Sequence, residues 1–209
     1  MPALVIGSKV RIEALMRGIG RRWNPDLWEW PARTAPNWRL YDIIIDLEAD
    51  ERPSPAFRVV TEALWVLSSV KKPLHRLLPE KRFASRCVGA NLLPAFCERD
   101  IVEATALSDE AWNRFIAWEP NAIRVPDTTG LVSARILCLI LNEALLLQSE
   151  AYLPIEVLDT AVKLGLNYPY TLSEWGERIG WAHVRDIVQA LSADYGAGVY
   201  PVAPALLGK

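Results

Sequence analysis

Asp42-Ile43-Ile44-Ile45-Asp46 sets three branched apolar residues in a row between two acids. A strand with so few alternating polar residues is covered on both faces, as in a parallel sheet flanked by helices. Similar runs lie on either side. Leu4-Val5-Ile6 leads into Gly7, and Lys9 to Gly20 then carry Val10, Ile12, Leu15, Met16 and Ile19 at helical spacing. Beyond the Arg52-Pro53-Ser54-Pro55 break, Ala56 to Leu64 reads as a helix and Trp65-Val66-Leu67 as a strand. Cys87 to Leu93, Ile101 to Ala104 and Asn121 to Val125 are further strands, with a helix at Asp109 to Trp118. Strands alternating with helices predict an α/β domain built on a mainly parallel sheet.

From Asp127 the strand signals stop and helices follow one another. They are predicted over about Thr129 to Glu150, from Pro154 to Gly165, over Leu172 to Ile179, and from Trp181 to Tyr195. Proline suits a first helical turn and glycine the end, which fixes these bounds. The fold class is therefore α/β plus all-α, with residues 1–126 in the sheet domain and 127–209 in the helical one.

Composition narrows the function. Of 209 residues, 51% are hydrophobic, which excludes a disordered chain. A net charge of −2 lacks the basic excess of a nucleic-acid binder. Cys87, Cys97 and Cys138 cannot all pair and form no C-x-x-C, so neither a disulfide scaffold nor a metal site is expected. The N-terminus has no basic n-region, and Arg135, Asn142 and Glu143 interrupt the most apolar stretch. The expectation is a soluble cytoplasmic protein with no membrane partner.

Between Trp23 and Trp38 lie four of the nine tryptophans and three prolines (Pro25, Pro31, Pro36). This stretch fits neither pattern. It reads as a loop whose aromatic residues plug exposed core, with a binding lip as the other reading.

The second half carries a resemblance. Asp127-Thr128-Thr129-Gly130-Leu131-Val132-Ser133-Ala134-Arg135 resembles the D-T-x-G-F-x-x-N-R segment of 3-hydroxyacyl-CoA dehydrogenases. Asn142-Glu143-Ala144 resembles that family's N-E-A, and Asp159 to Pro169 its D-x-A-M-K-L-G-x-G-Y-P. Upstream, Arg86 to Asn91 resembles R-F-x-G-x-H, Asp100 to Glu103 resembles x-L-V-E, and Val5-Ile6-Gly7 resembles V-I-G-A-G. The resemblance implies a truncated Rossmann-like NAD domain and a helical C-terminal dimerisation domain. It also implies oxidation of a 3-hydroxyacyl-CoA to the 3-ketoacyl-CoA.

Carried over position by position, the resemblance implies several losses. Gly7 matches the first fingerprint glycine, while Lys9 and Ile12 stand where the others would let backbone approach pyrophosphate and helix pack on strand. Lys9 and Arg11 read as ordinary surface. Asp26 lies at the distance of a ribose-binding acid but has no strand before it. Asn91 matches the catalytic histidine, and an amide cannot hold the substrate proton. Glu103 matches the glutamate that orients the histidine, and Ser68 the hydroxyl on the thioester side. Ala134 replaces a substrate-contacting asparagine, and Arg52 or Arg58 stands near the place of a CoA-phosphate lysine. His75 and His183 read as surface or packing residues.

The expected protein is 3-hydroxyacyl-CoA dehydrogenase-like and lacks NAD-dependent turnover. It acts as a binding or regulatory homodimer through its helical domain, with an acyl-CoA-like ligand or an active relative as partner and no cofactor. A second reading is an active NAD-dependent oxidoreductase on 3-hydroxybutyryl-CoA-type thioesters, with Glu103 as the acid–base group. A third is a structural protein-interaction module using the tryptophan-rich segment.

Overall fold

The computed structural model describes residues 1–31, 36–52, 62–78 and 80–208. The chain divides into two compact units, Met1–Val132 and Ser133–Lys209.

The first unit runs β1 (Ala3–Gly7), α1 (Lys9–Arg17), α2 (Gly20–Trp23), β2 (Asp26–Glu29), β3 (Ile43–Asp46), β4 (Leu64–Ser68), α3 (Leu74–Leu77), β5 (Cys87–Ala90), β6 (Val102–Ala106), α4 (Asp109–Trp118) and β7 (Ala122–Arg124). The strands form one seven-stranded sheet in the order β2-β1-β3-β4-β5-β6-β7. Every pairing is parallel except β5 with β6. Both faces are covered, as the unbroken apolar runs require. Val5, Ile43, Ile45 and Val66 point into a core with Ile12 and Leu15 of α1 and Phe115 of α4. Leu4, Ile6, Ile44, Trp65 and Leu67 point the other way, against Leu74 and Phe83.

The chain leaves β1 toward β2 on one side and returns to β3 on the other. The carboxyl ends of β1 and β3 therefore flank the topological switch point, where open α/β sheets bind ligands. Gly7 ends β1 there, and residues 47–52 follow β3.

Three expectations need correction. The tryptophan-rich stretch is not all loop: Asp26–Glu29 is an edge strand parallel to β1. Its mixed polar sequence hid it, because an edge strand facing solvent needs no apolar run. Trp28 and Trp38 do pack, partly buried, on the face that contains Trp65. The helix expected from Ala56 lies mostly in 53–61, outside the described residues, and Leu64 opens a strand instead. The helix expected from Thr129 starts at Ser133, because Gly130 and Leu131 take positive φ (81° and 47°) and turn the chain first.

The second unit contains α5 (Ser133–Ala151), α6 (Ile155–Gly165), α7 (Leu172–Ile179), α8 (Trp181–Tyr195) and α9 (Pro204–Leu207). A capping box of Thr171 and Glu174 starts α7, satisfying backbone N–H groups that have no helical partner. Gly176 is demanded by packing: a Cβ there would meet the Trp181 ring at 2.1 Å. Asn167 takes the left-handed φ of 53° that its short amide tolerates. α5 buries Leu137, Cys138, Leu141 and Leu145, yet Ile136 is 56% exposed. Within the chain α5 is thus not enclosed on every side. Asn142 ties the tail to it, donating to the Pro201 carbonyl (2.8 Å) and accepting from the Ala203 amide (2.8 Å). Arg135 of α5 reaches the Tyr200 hydroxyl at 2.7 Å and lies over the Tyr195 ring.

No helix among the described residues is long and apolar enough to cross a membrane.

Candidate functional site

Ser68, Asn91 and Glu103 come together at one end of the first unit. Ser68 closes β4 in register with Ala90, the last residue of β5, and Asn91 follows directly. β6 returns antiparallel, so the Asn91 amide donates to the Glu103 carbonyl at 2.9 Å. The side chains repeat the pairing: Asn91 Nδ2 donates to Glu103 Oε2 at 3.4 Å. The other carboxylate oxygen accepts from the Val132 amide at 3.1 Å. Asn91 is 3% exposed, and the Ser68 hydroxyl is fully buried with no hydrogen-bond partner among the described residues. Close strand approach underlies this arrangement, since a Cβ on Gly89 would sit 2.8 Å from that of Ser69.

An amide thus meets a carboxylate at the two positions where the resemblance places a base and its orienting acid. An amide can donate to a ligand or accept from one. It cannot take and release a proton near neutral pH.

At the switch point Gly7 is in place, but its open flank is used by the chain itself. A Cβ there would meet Leu47 Cδ1 at 3.0 Å. Ser8 precedes α1, and its amide faces both oxygens of Glu48 at 3.2 Å. The Ser8 hydroxyl donates to the same carboxylate at 2.5 Å.

Arg11 is not the surface residue expected. It is 4% exposed, pairs with Glu51, and donates to the carbonyls of Leu47 (2.6 Å) and Leu92 (3.1 Å). Ile12 packs in the core at 7% exposure. Arg52 does not project to a distant phosphate. It donates to Asp46 at 3.1 Å, lies 3.5 Å from Glu48 and stacks 4.7 Å over the Trp30 ring. Arg58 lies outside the described residues. Lys9 is exposed at the start of α1.

Asp26 opens β2 and accepts from the Tyr41 hydroxyl at 2.9 Å. The acid at the carboxyl end of β2, level with Gly7, is Glu29, which is exposed. A ribose-binding acid sits at that end of the second strand, about 20 residues past the glycine turn. Glu29, and not Asp26, holds that position in this sheet.

His75 lies at the surface, as expected, and it has a partner. Asp127, from the motif that opens the second half, accepts from the amides of Leu74 (2.7 Å) and His75 (2.9 Å), and holds His75 Nδ1 at 2.7 Å. This carboxylate caps the short helix α3 and orients a half-exposed imidazole. All three cysteines are free and buried, and burial pushes their thiols up to about 12. Among the described residues no group of His, Cys, Asp and Glu is arranged to hold a metal ion.

Comparison with known proteins agrees with the motifs. Residues 130–208 match the family described as 3-hydroxyacyl-CoA dehydrogenase, C-terminal domain. The chain is 32% identical over 80 residues to the 3-hydroxyadipyl-CoA dehydrogenase of Escherichia coli K12. That stretch spans 38% of this chain and 17% of the relative. The fold matches (S)-3-hydroxybutyryl-CoA dehydrogenase from Ralstonia eutropha with a TM-score of 0.73 at 15% identity, covering 100% of this chain and 93% of that one. FadB2 from M. tuberculosis gives 0.76 at 16% identity, covering 99% and 92%. At those identities the solved structures speak for the fold alone. Motifs and family match make the chain 3-hydroxyacyl-CoA dehydrogenase-like over residues 130–208, and its fold is that of the solved neighbours.

Proposed function

We propose that the chain does not oxidise 3-hydroxyacyl-CoA by the family's route and acts as a binding protein for an acyl-CoA-like ligand. The observation that carries this reading is the Asn91 amide on Glu103 at 3.4 Å, where proton transfer needs a titratable base. Ser68, Asn91 and Glu103 keep polar atoms at the site, so the capacity to meet a thioester survives the loss of chemistry. The residues at the glycine turn do not fit a dinucleotide pyrophosphate, since Glu48 brings negative charge to the Ser8 amide and Leu47 fills the flank of Gly7. Gly7 is in this reading a packing position.

A second copy of the chain is the partner we assign to the helical unit. α6 buries only Leu158, while Val157 (49%) and Leu164 (79%) stand exposed, as does Ile136 on α5. Apolar helix faces of this size favour association, and a two-fold homodimer covers the same face on both copies. Sedimentation of the purified chain tests it, with the dimer mass expected and a monomer across micromolar concentrations contradicting it.

The function itself is tested by turnover and binding together. With NAD and (S)-3-hydroxybutyryl-CoA, no NADH should form above the buffer rate, while butyryl-CoA should give saturable heat in calorimetry. NADH formation comparable to an intact family enzyme would reverse the reading and favour the active oxidoreductase. Silence toward both the cofactor and the thioester would remove the ligand and leave a protein-interaction role.

A further inference from the structure

We infer that residues 46–52 form a built-in plug whose Glu48 carboxylate occupies the phosphate position of the switch-point crevice. This deepens the functional reading above and rests on it, because it names the agent that keeps a dinucleotide out.

The segment is held at almost every residue. Leu47 donates its amide to the Ile6 carbonyl at 2.9 Å, which fastens the turn to the end of β1. Glu48 donates its amide to Asp46 Oδ1 at 3.1 Å and turns its carboxylate onto Ser8. Ala49 is buried. Asp50 accepts from the amides of Val70 and Lys71, each at 2.7 Å. Glu51 pairs with Arg11 and lies 3.8 Å from Lys71. Arg52 closes the turn between Asp46, Glu48 and the Trp30 ring.

The start of a helix favours an anion, because its first amides lack partners and the helix dipole is positive there. α1 has nine residues, and its anion is supplied from 40 residues away in the same chain. The carboxylate meets the Ser8 amide with two oxygens and the hydroxyl with one, as a phosphate would. Leu47 fills the flank that a close backbone approach would need. A phosphate-bearing ligand would have to displace the carboxylate, the apolar side chain and the Arg52 contacts together. The plug is a permanent replacement and not a lid.

The test is inorganic pyrophosphate titrated into the full chain, followed through the Ser8 amide resonance. The wild type should show no saturable shift. Glu48→Ala exposes the Ser8 amide and hydroxyl and leaves Arg52 one carboxylate fewer, so it should bind pyrophosphate at least about tenfold more tightly. Glu48→Gln keeps the shape without the charge and serves if the alanine variant fails to fold; it should gain in the same direction. Leu47→Ala widens the crevice but keeps the carboxylate, and should gain nothing. Saturable binding by the wild type at Ser8, or equal weak binding by all variants, overturns the plug. Neither result bears on the missing base at Asn91, which the turnover assay reads separately.

Discussion

Asn91 Nδ2 lies 3.4 Å from Glu103 Oε2, so an amide meets a carboxylate at the two positions where the resemblance places a base and its orienting acid. The pairing is set by backbone. Asn91 follows β5, Glu103 lies on antiparallel β6, and the Asn91 amide reaches the Glu103 carbonyl at 2.9 Å. Any side chain of similar length at 91 would meet the same acid.

Asn91→His therefore places an imidazole against Glu103, and the neighbouring carboxylate should raise its pKa above the free value of about 6.5. NMR titration of the introduced ring checks this. NAD-dependent activity should remain absent, because the plug at Ser8 is untouched. Activity restored by this single change would show that the nucleotide site is open.

Asp50 gives a pH signature. It is 2% exposed, and burial, opposed by the Val70 and Lys71 amides, raises its pKa above the usual 3.8. Between that unfolded value and the raised folded one, the folded chain binds the extra proton. This residue's contribution to stability is thus fully present below about 3.8 and is lost as pH rises through the folded pKa. Asp50→Asn removes that term, so its stability relative to wild type should improve from pH 4.5 to pH 7.5. Urea midpoints at the two pH values measure it, and a constant difference contradicts it.

Glu119 is the test of packing in the first unit. It is 1% exposed and accepts from Trp23 Nε1 (2.6 Å), Arg22 (2.8 Å) and the Asn121 amide (3.0 Å). Glu119→Ala strands a buried indole N–H and should cost about 2–4 kcal/mol by denaturant unfolding. A loss below about 0.5 kcal/mol would be that of an ordinary surface site.

The cysteines should be inert. With thiols buried and pushed up to about 12, Cys87, Cys97 and Cys138 should resist a thiol reagent at pH 8 in the native chain. All three should react once urea unfolds it. Rapid native labelling of any one would place it nearer the surface than described.

Much of the architecture was legible because it rests on local pattern. The apolar runs of β1, β3 and β4 announced a buried parallel sheet, and Pro154, Gly180 and Gly196 marked helix ends. β2 escaped because Asp26-Leu27-Trp28-Glu29 is an exposed edge with no apolar run, and with it went the position of Glu29. That residue 91 offers an amide and no titratable group was readable, since residue type alone decides it. The filling of the crevice was not readable. Glu48 meets Ser8, and Arg11 meets Leu92, across separations of 40 and 81 residues that no local spacing encodes. The same holds for His75 and Asp127, which are 52 residues apart.

The most direct test of the central claim is NADH titrated into the wild-type chain, read by energy transfer from its tryptophans, with an intact family enzyme as control. Trp28 lies within β2 and Trp30 follows it, its amide on the Gly7 carbonyl at 2.9 Å beside the crevice, so a bound nicotinamide dinucleotide would lie within transfer range. The account predicts no saturable transfer up to millimolar NADH. Saturable transfer at micromolar NADH would contradict it.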